Sequence, residues 1–267
     1  MTQTLLTSPG DLISQSLEFI KKYEPPEGYY LAFSGGKDSI VCYDLLEKAG
    51  VSFDAHYAVT TIDPPELTKF IRENYPNVIW HRPTYKGKPT NYYQLIQLKG
   101  LPNRRVRWCC AYLKETEGKN RTVVVGVRSE ESRNRAKLPL YDTAGGGKHI
   151  LRPILHWKTI DIWEYIKNNA LPYCSLYDQG YDRIGCILCP LQCIRKRITD
   201  MNRYPKHVAA IKRSLSLSIS KPIPKARYFS GVTQWKKFSP CGSPKRLQPM
   251  IVDNVHYHLW GVIPCSP

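Results

Sequence analysis

Nine residues, Leu31-Ala-Phe-Ser-Gly-Gly-Lys-Asp-Ser39, run an apolar strand into a double-glycine turn, and Asp38 and Ser39 then open a helix. A strand that passes to a helix through so tight a turn belongs to an alternating β–α–β chain, whose sheet is parallel. Gly35 and Gly36 carry no Cβ, so their backbone reaches positive φ and brings N–H groups close to a bound anion. The dipole of the following helix favours negative charge at the same point. Lys37 adds a mobile cation, and Ser34 and Ser39 add hydroxyl donors. Ser34, Gly35, Gly36, Lys37, Asp38 and Ser39 therefore form a candidate polyphosphate site. It is not a Walker loop, which places four residues between its first glycine and Gly-Lys.

The rest of the chain repeats the alternation. Leu12, Ile13, Leu17, Phe19 and Ile20 are spaced as on an amphipathic helix over 11–23, which Pro25, Pro26 and Gly28 stop. Strands are expected over 29–33, 51–59, 78–80 and 122–127, the last an apolar run suited to a strand covered on both faces. Helices are expected over 39–48, 66–74, 92–98 and 157–168. The glycine-rich stretch 142–148 reads as a loop, and 181–192 as a loop that carries cysteines. The pattern predicts an α/β fold with a doubly wound, mostly parallel sheet. Ligands of such sheets sit beyond the carboxyl ends of the strands at a switch point, where residues 34–39 fall.

After Cys193 the character changes. Residues 194–213 read as one basic helix broken near Pro205, and Pro222, Pro224, Pro240, Pro244 and Pro249 exclude a long helix beyond it. A nucleotide-binding domain with a cysteine cluster is expected over 1–193, and a small basic C-terminal appendage over 194–267. Tyr228, Phe229, Trp235, Phe238, Tyr257 and Trp260 are interleaved with bases there, as the core of a small module or as stacking surfaces.

The net charge of +17 is uneven: residues 194–267 hold 14 Lys or Arg against two acids, Asp200 and Asp253. That asymmetry points to a nucleic-acid surface, the alternatives being a solvated basic face or a tail that docks on an acidic protein. No segment has the roughly 20 apolar residues that cross a bilayer, and the first residues lack the basic and apolar regions of a signal peptide. A cytoplasmic protein is expected. Nine cysteines in a reducing compartment suit metal ligation or thiol chemistry better than disulfides.

Four of them form two pairs, Cys109-Cys110 and Cys186-x-x-Cys189, with 75 residues between the pairs. Cys-x-x-Cys sets two thiolates on one side of a tight turn and suits zinc or an iron–sulfur cluster, and Pro190 matches the Cys-Pro ending of ferredoxin-type ligand runs. The alternatives are cysteines packed as small hydrophobes and a redox dithiol. Cys193 is a reserve ligand or a sulfur carrier. Cys42 reads as core, and Cys174, Cys241 and Cys265 have no motif around them.

The turn at 34–39 resembles the PP-loop of ATP pyrophosphatases, which split ATP between its α and β phosphates. Asp63 follows the second strand; Arg107-Trp-Cys-Cys110, Gly126-Val-Arg128 with Glu130, Glu131, Ser132 and Arg133, and the late Cys-x-x-Cys complete a set. With it, residues 28–195 resemble the phosphoadenylylsulfate (PAPS) reductase family. The cysteine set is similar to the [4Fe–4S] ligands of adenylylsulfate reductases and of ATP pyrophosphatases from DNA phosphorothioation systems. The resemblance implies an adenine nucleotide alpha hydrolase-like fold, ATP with Mg²⁺ as the nucleotide, and a [4Fe–4S] cluster on Cys109, Cys110, Cys186 and Cys189. It also implies catalytic roles for Lys37, Asp38, Asp63 and Arg128, DNA rather than RNA as the acceptor, and a cysteine desulfurase as sulfur donor. Arg128 and Arg133 are suited to clamp phosphate bidentately, the alternative being surface pairing with Glu130 and Glu131.

Two departures separate the branches. Sulfonucleotide reductases usually have a loop without this lysine, whereas Lys37 suits a pyrophosphate leaving group whose developing charge needs a cation. The reductases end in a Glu-Cys-Gly-Leu-His segment; this chain ends Val-Ile-Pro-Cys-Ser-Pro, and Cys241 lies in Ser-Pro-Cys-Gly-Ser-Pro. The expected function is adenylation of a nucleic-acid oxygen for replacement by sulfur. The alternatives are a reductase that releases sulfite and a non-catalytic nucleic-acid-binding protein.

Overall fold

The structure, a computed structural model, describes residues 9–219, 250–252 and 255–257. Cys241, Cys265 and most of the basic, aromatic-rich tail lie outside the described residues. The strands are β1 (Tyr29–Ala32), β2 (Phe53–Ala58), β3 (Ile79–His81), β4 (Thr84–Tyr85), β5 (Lys88–Pro89), β6 (Thr122–Val124), β7 (Tyr141–Ala144), β8 (Lys148–Leu151), β9 (Met250–Val252) and β10 (Val255–Tyr257). The helices are α1 (Pro9–Lys22), α2 (Lys37–Ala49), α3 (Pro65–Asn74), α4 (Tyr92–Lys99), α5 (Trp108–Leu113), α6 (Thr159–Asn168), α7 (Ile194–Arg203) and α8 (Pro205–Ile219). None of the described helices is long and apolar enough to cross a membrane.

Contacts divide the chain into two compact units. The first comprises Met1–Asn91 with Cys109–Ile187, the second Tyr92–Trp108 with Leu188–Pro267. The first unit holds a six-stranded sheet of order β3-β2-β1-β6-β8-β7. All neighbours pair in parallel except β7 with β8. The chain leaves β1 toward β2 and β3, then returns to the other side of β1 at β6. The carboxyl ends of β1 and β6 thus flank the switch point.

Alternation along the strands sets the two faces of the sheet. Tyr29, Leu31 and Phe33 are buried with Ala55, Tyr57, Val124 and Leu151 in one core. Helix α2 supplies Ile40, Val41, Cys42, Leu45 and Leu46 to it, so Cys42 is core as read from the sequence. Each fully buried side chain of this kind contributes about 1.5–3 kcal/mol. Gly50 ends α2 at φ 70°, its N–H donating to the Glu47 carbonyl at 3.0 Å. The residues between, Tyr30, Ala32, His56, Ala58, Val123 and Ile150, line a cavity on the opposite face.

Two expectations need correction. Residues 142–148 are not a plain loop: they contribute to β7 and β8, an antiparallel hairpin whose tip is Gly145–Gly147. Tyr141-Asp-Thr-Ala is too polar to announce an edge strand, and its pairing with β8 makes it one. The strand expected over 122–127 stops at Val124, because Gly126 turns toward α2. The expected break near Pro205 is present, separating α7 from α8.

In the second unit α4 packs on α8. The Tyr92 ring stacks on Trp108 at 5.5 Å, and the Trp108 indole N–H donates to the Gly100 carbonyl at 3.2 Å. The Leu188 N–H donates to the buried Asp200 carboxylate at 3.0 Å, which anchors the turn before α7.

Candidate active site

The glycine turn is built as its sequence requires. Gly35 stands at φ +68°, and a Cβ there would lie 2.7 Å from the Ile71 side chain and 2.9 Å from Leu67. Gly36 caps α2 from an extended conformation. The Ser39 hydroxyl donates to the Gly36 carbonyl at 2.8 Å and accepts from the Ser34 amide at 3.2 Å and the Ser34 hydroxyl at 3.1 Å. Both hydroxyls thus lace the turn from within. A Gly35→Ala substitution combines a left-handed backbone with a clash, and is expected to destabilise the protein by about 2–5 kcal/mol, read by chemical denaturation.

Charge gathers on the first turn of α2. Lys37 is only 4 % exposed, and its ammonium lies 3.3 Å from Asp38 Oδ2 and 3.3 Å from the Asp182 carbonyl. The other Asp38 oxygen accepts from Arg128 Nε at 2.7 Å. Arg128 is buried and donates through Nη1 to Glu130 at 2.7 Å. Glu130 also accepts from the Thr159 hydroxyl and amide, and these bonds, then Arg128, hold it below the usual carboxylate range. Gly126 makes this possible: a Cβ there would lie 2.9 Å from the Asp38 backbone carbon. The fold therefore brings the ends of β1 and β6 together through Asp38 and Arg128. Arg133 is exposed.

Asp63 lies after β2, where its carboxylate accepts from the Thr60 amide at 2.8 Å. The Ile187 amide donates to the Ile62 carbonyl at 2.8 Å, and Cys186 Sγ lies 3.5 Å from the Thr60 hydroxyl. These bonds stitch the 60–63 turn to the start of Cys-x-x-Cys. Lys114 joins the group: Cys186 beside it pushes its pKa up, with Asp63 and Cys110 adding to the rise. Sequence reasoning missed Lys114. The available signal was its position four residues after Cys110, one helical turn away.

Cys109 and Cys110 sit in the first turn of α5, and Cys186 and Cys189 flank Leu188, whose φ of 55° turns the chain between them. All four are half-buried thiols outside any disulfide, which is the donor chemistry an iron–sulfur cluster takes. Among the described residues no three His, Cys, Asp or Glu side chains stand together as a metal site. The donor types fit the cluster.

The cavity on the open sheet face measures about 280 Å³ and runs from Ser34, Asp63 and Lys114 to Tyr30 and His56. Tyr57 of the core also borders the cavity, its hydroxyl buried. Burial, then Asp63 and Cys186, raises its pKa, so it stays a phenol. At the other end His56 stacks on Tyr30 at 3.9 Å and shares a 2.6 Å contact with His81 Nε2.

Sheet order, switch point and glycine turn define an α/β fold with a PP-loop-type turn between its first strand and helix. The chain belongs to the phosphoadenosine phosphosulfate reductase domain family, whose model matches residues 28–192. An uncharacterised protein of Methanocaldococcus jannaschii is 30 % identical over 220 residues, 76 % of this chain and 53 % of that protein, so the chain spans about half of its length. The adenosine 5′-phosphosulfate reductase of Oceanobacillus iheyensis is 30 % identical over 171 residues, 60 % of this chain and 70 % of that one. A crystal structure of PAPS reductase from Candida auris aligns with TM-score 0.49 and 20 % identity, covering 69 % of this chain and 90 % of that one.

Proposed function

We propose that the protein is an ATP pyrophosphatase that adenylates a nucleic-acid oxygen so that sulfur can replace it. The observation that carries this reading is Lys37, a buried cation at the N-terminus of α2 and at the switch point of the sheet. The β and γ phosphates of ATP would lie on residues 34–39, where amides, helix dipole and ammonium all favour negative charge. An acceptor oxygen attacks the α phosphorus, pyrophosphate leaves, and Lys37 offsets its growing charge. Sulfur from a cysteine desulfurase arrives as a persulfide, two electrons from a thiol reductant release it as sulfide, and the sulfide displaces AMP. Asp63 would supply an oxygen donor to Mg²⁺, and Asp38 would do so by giving up its Lys37 contact. Arg128 acts by holding Asp38 rather than by clamping phosphate, since Nε and Nη1 are already taken. Arg133 keeps the phosphate-contact role.

Cys109, Cys110, Cys186 and Cys189 would hold a [4Fe–4S] cluster, which would tie the two cysteine turns together and add a redox-capable centre. Anaerobic purification is expected to give brown protein with about four irons per chain, and a Cys110→Ser, Cys186→Ser variant is expected to lose both colour and iron. Iron-free wild-type protein from the same preparation would remove the cluster from the account. The basic surface of Arg104, Arg105, Arg107 and α7, with the bases of the tail sequence, would hold the acceptor backbone, DNA in preference to RNA.

The cysteine set and the likeness to the O. iheyensis protein favour a second reading, reduction of a sulfonucleotide to sulfite. The test incubates the protein with ATP, Mg²⁺, a cysteine desulfurase, cysteine, dithiothreitol as reductant and either DNA or RNA, then analyses nuclease digests by mass spectrometry. A sulfur-for-oxygen exchange in DNA is expected. Unmodified nucleic acid, together with sulfite from adenylylsulfate, would establish the second reading.

A further inference from the structure

Lys37 is held at both ends by one segment of the chain. Its amide, the first N–H of α2, donates to the Tyr177 hydroxyl at 2.9 Å. Its ammonium donates to the Asp182 carbonyl at 3.3 Å and lies 5.7 Å from the centre of the Tyr177 ring. The two groups that residues 34–39 would offer a phosphate most directly are therefore taken by protein oxygens. The Tyr177 oxygen occupies the position on the helix N-terminus that an anion's oxygen would take.

The backbone of that segment is fixed. The amide of Tyr177 donates to the Cys174 carbonyl at 3.1 Å, that of Gly180 to Tyr177 at 3.1 Å, and that of Tyr181 to Leu176 at 3.2 Å. Cys174, Leu176 and Tyr181 are buried. The Tyr177 side chain is half-buried between Trp163, centroid to centroid 5.1 Å, and Tyr173 at 6.4 Å. What can move is the Tyr177 side chain and the Lys37 side chain, both by rotation. Burial raises the Tyr177 pKa, so its oxygen is a neutral hydroxyl and gives way to a charged one.

We propose that Tyr177 and the Asp182 carbonyl form an exchangeable clasp on Lys37, opened by a ligand with two linked phosphates that replaces both contacts together. The inference rests on the assignment of residues 34–39 to polyphosphate and adds a specificity to it. A single phosphate supplies oxygens at one point and leaves one end of the clasp closed. A diphosphate reaches the amide and the ammonium at once. The clasp lowers apparent affinity by the fraction of time it is shut, so loosening it tightens binding.

The test is calorimetric titration of the full chain, wild type and Tyr177→Phe, with pyrophosphate and with orthophosphate. The Phe variant keeps the ring and its packing and removes only the oxygen; a thermal melt confirms the fold. Wild type is expected to bind pyrophosphate at least about tenfold more tightly than orthophosphate, and Tyr177→Phe to bind pyrophosphate about three- to tenfold more tightly than wild type, the worth of one hydrogen bond. Equal or weaker binding by the variant overturns the clasp and leaves the polyphosphate site standing. So does a wild type that takes orthophosphate as well as pyrophosphate. Absence of binding by both proteins overturns the site and the clasp together.

Discussion

Lys37→Ala is expected to reduce pyrophosphate release from ATP by about 10²–10³-fold, the usual cost of removing one donor aimed at developing charge. The fold should survive. Lys37 contacts Asp38 and the Asp182 carbonyl, and Asp38 keeps its 2.7 Å bond from Arg128 after the ammonium is gone. No buried charge is stranded, so the melting temperature should change little while turnover collapses. Lys37→Arg is a useful companion: it restores a cation of different shape in a space that is nearly closed to solvent. Only partial rescue is expected, because guanidinium and ammonium are not equivalent in a tight site. An alanine variant that released pyrophosphate at the wild-type rate would show that the loop lysine has no part in the chemistry.

Arg128→Met should differ by destabilising the fold as well. Arg128 is buried, with Nε on Asp38 and Nη1 on Glu130. Glu130 is half exposed and keeps its two bonds from Thr159. Asp38 is enclosed on the first turn of α2, side-chain exposure 17 %, and would lose its closest cation. Breaking a buried pair from one side costs about 3–5 kcal/mol. The loss falls on the junction of β1 and β6, so both stability and nucleotide binding should suffer. Denaturant midpoints measured beside ATP affinity test this. An Arg128→Met protein as stable as wild type would mean that the pair is not what holds the switch point. Arg128→Lys should also be destabilised, since one ammonium cannot replace two nitrogens that point to different carboxylates.

These two variants separate the parts of the site that could be read from the sequence from those that could not. Residues 31–39 were legible because each letter answers a local demand: a strand, a positive φ at Gly35, a helix start. Arg128 was legible as important, but its role came out only with the fold. Its partner Asp38 is 90 residues away, and Gly126 lets the two approach. Tyr177 carries no motif signal, and its hydroxyl meets Lys37 across 140 residues. Lys114 was hidden just past a short helix, in a stretch that reads as ordinary surface. The β7–β8 hairpin was missed because its outer strand is polar, and an edge strand is defined by its neighbour rather than by its own residues. The cysteine pairs were plain as pairs. The cluster they would hold depends on how the two turns meet, and that lies in tertiary structure.

The most direct test of the central claim is a paired assay of anaerobically purified protein. One arm follows AMP and pyrophosphate from ATP with Mg²⁺, with and without DNA; the other follows sulfite from adenylylsulfate and PAPS with a thioredoxin system. The account predicts AMP and pyrophosphate, stimulated by DNA, and no sulfite. Sulfite formed without ATP turnover would contradict it and assign the chain to sulfonucleotide reduction.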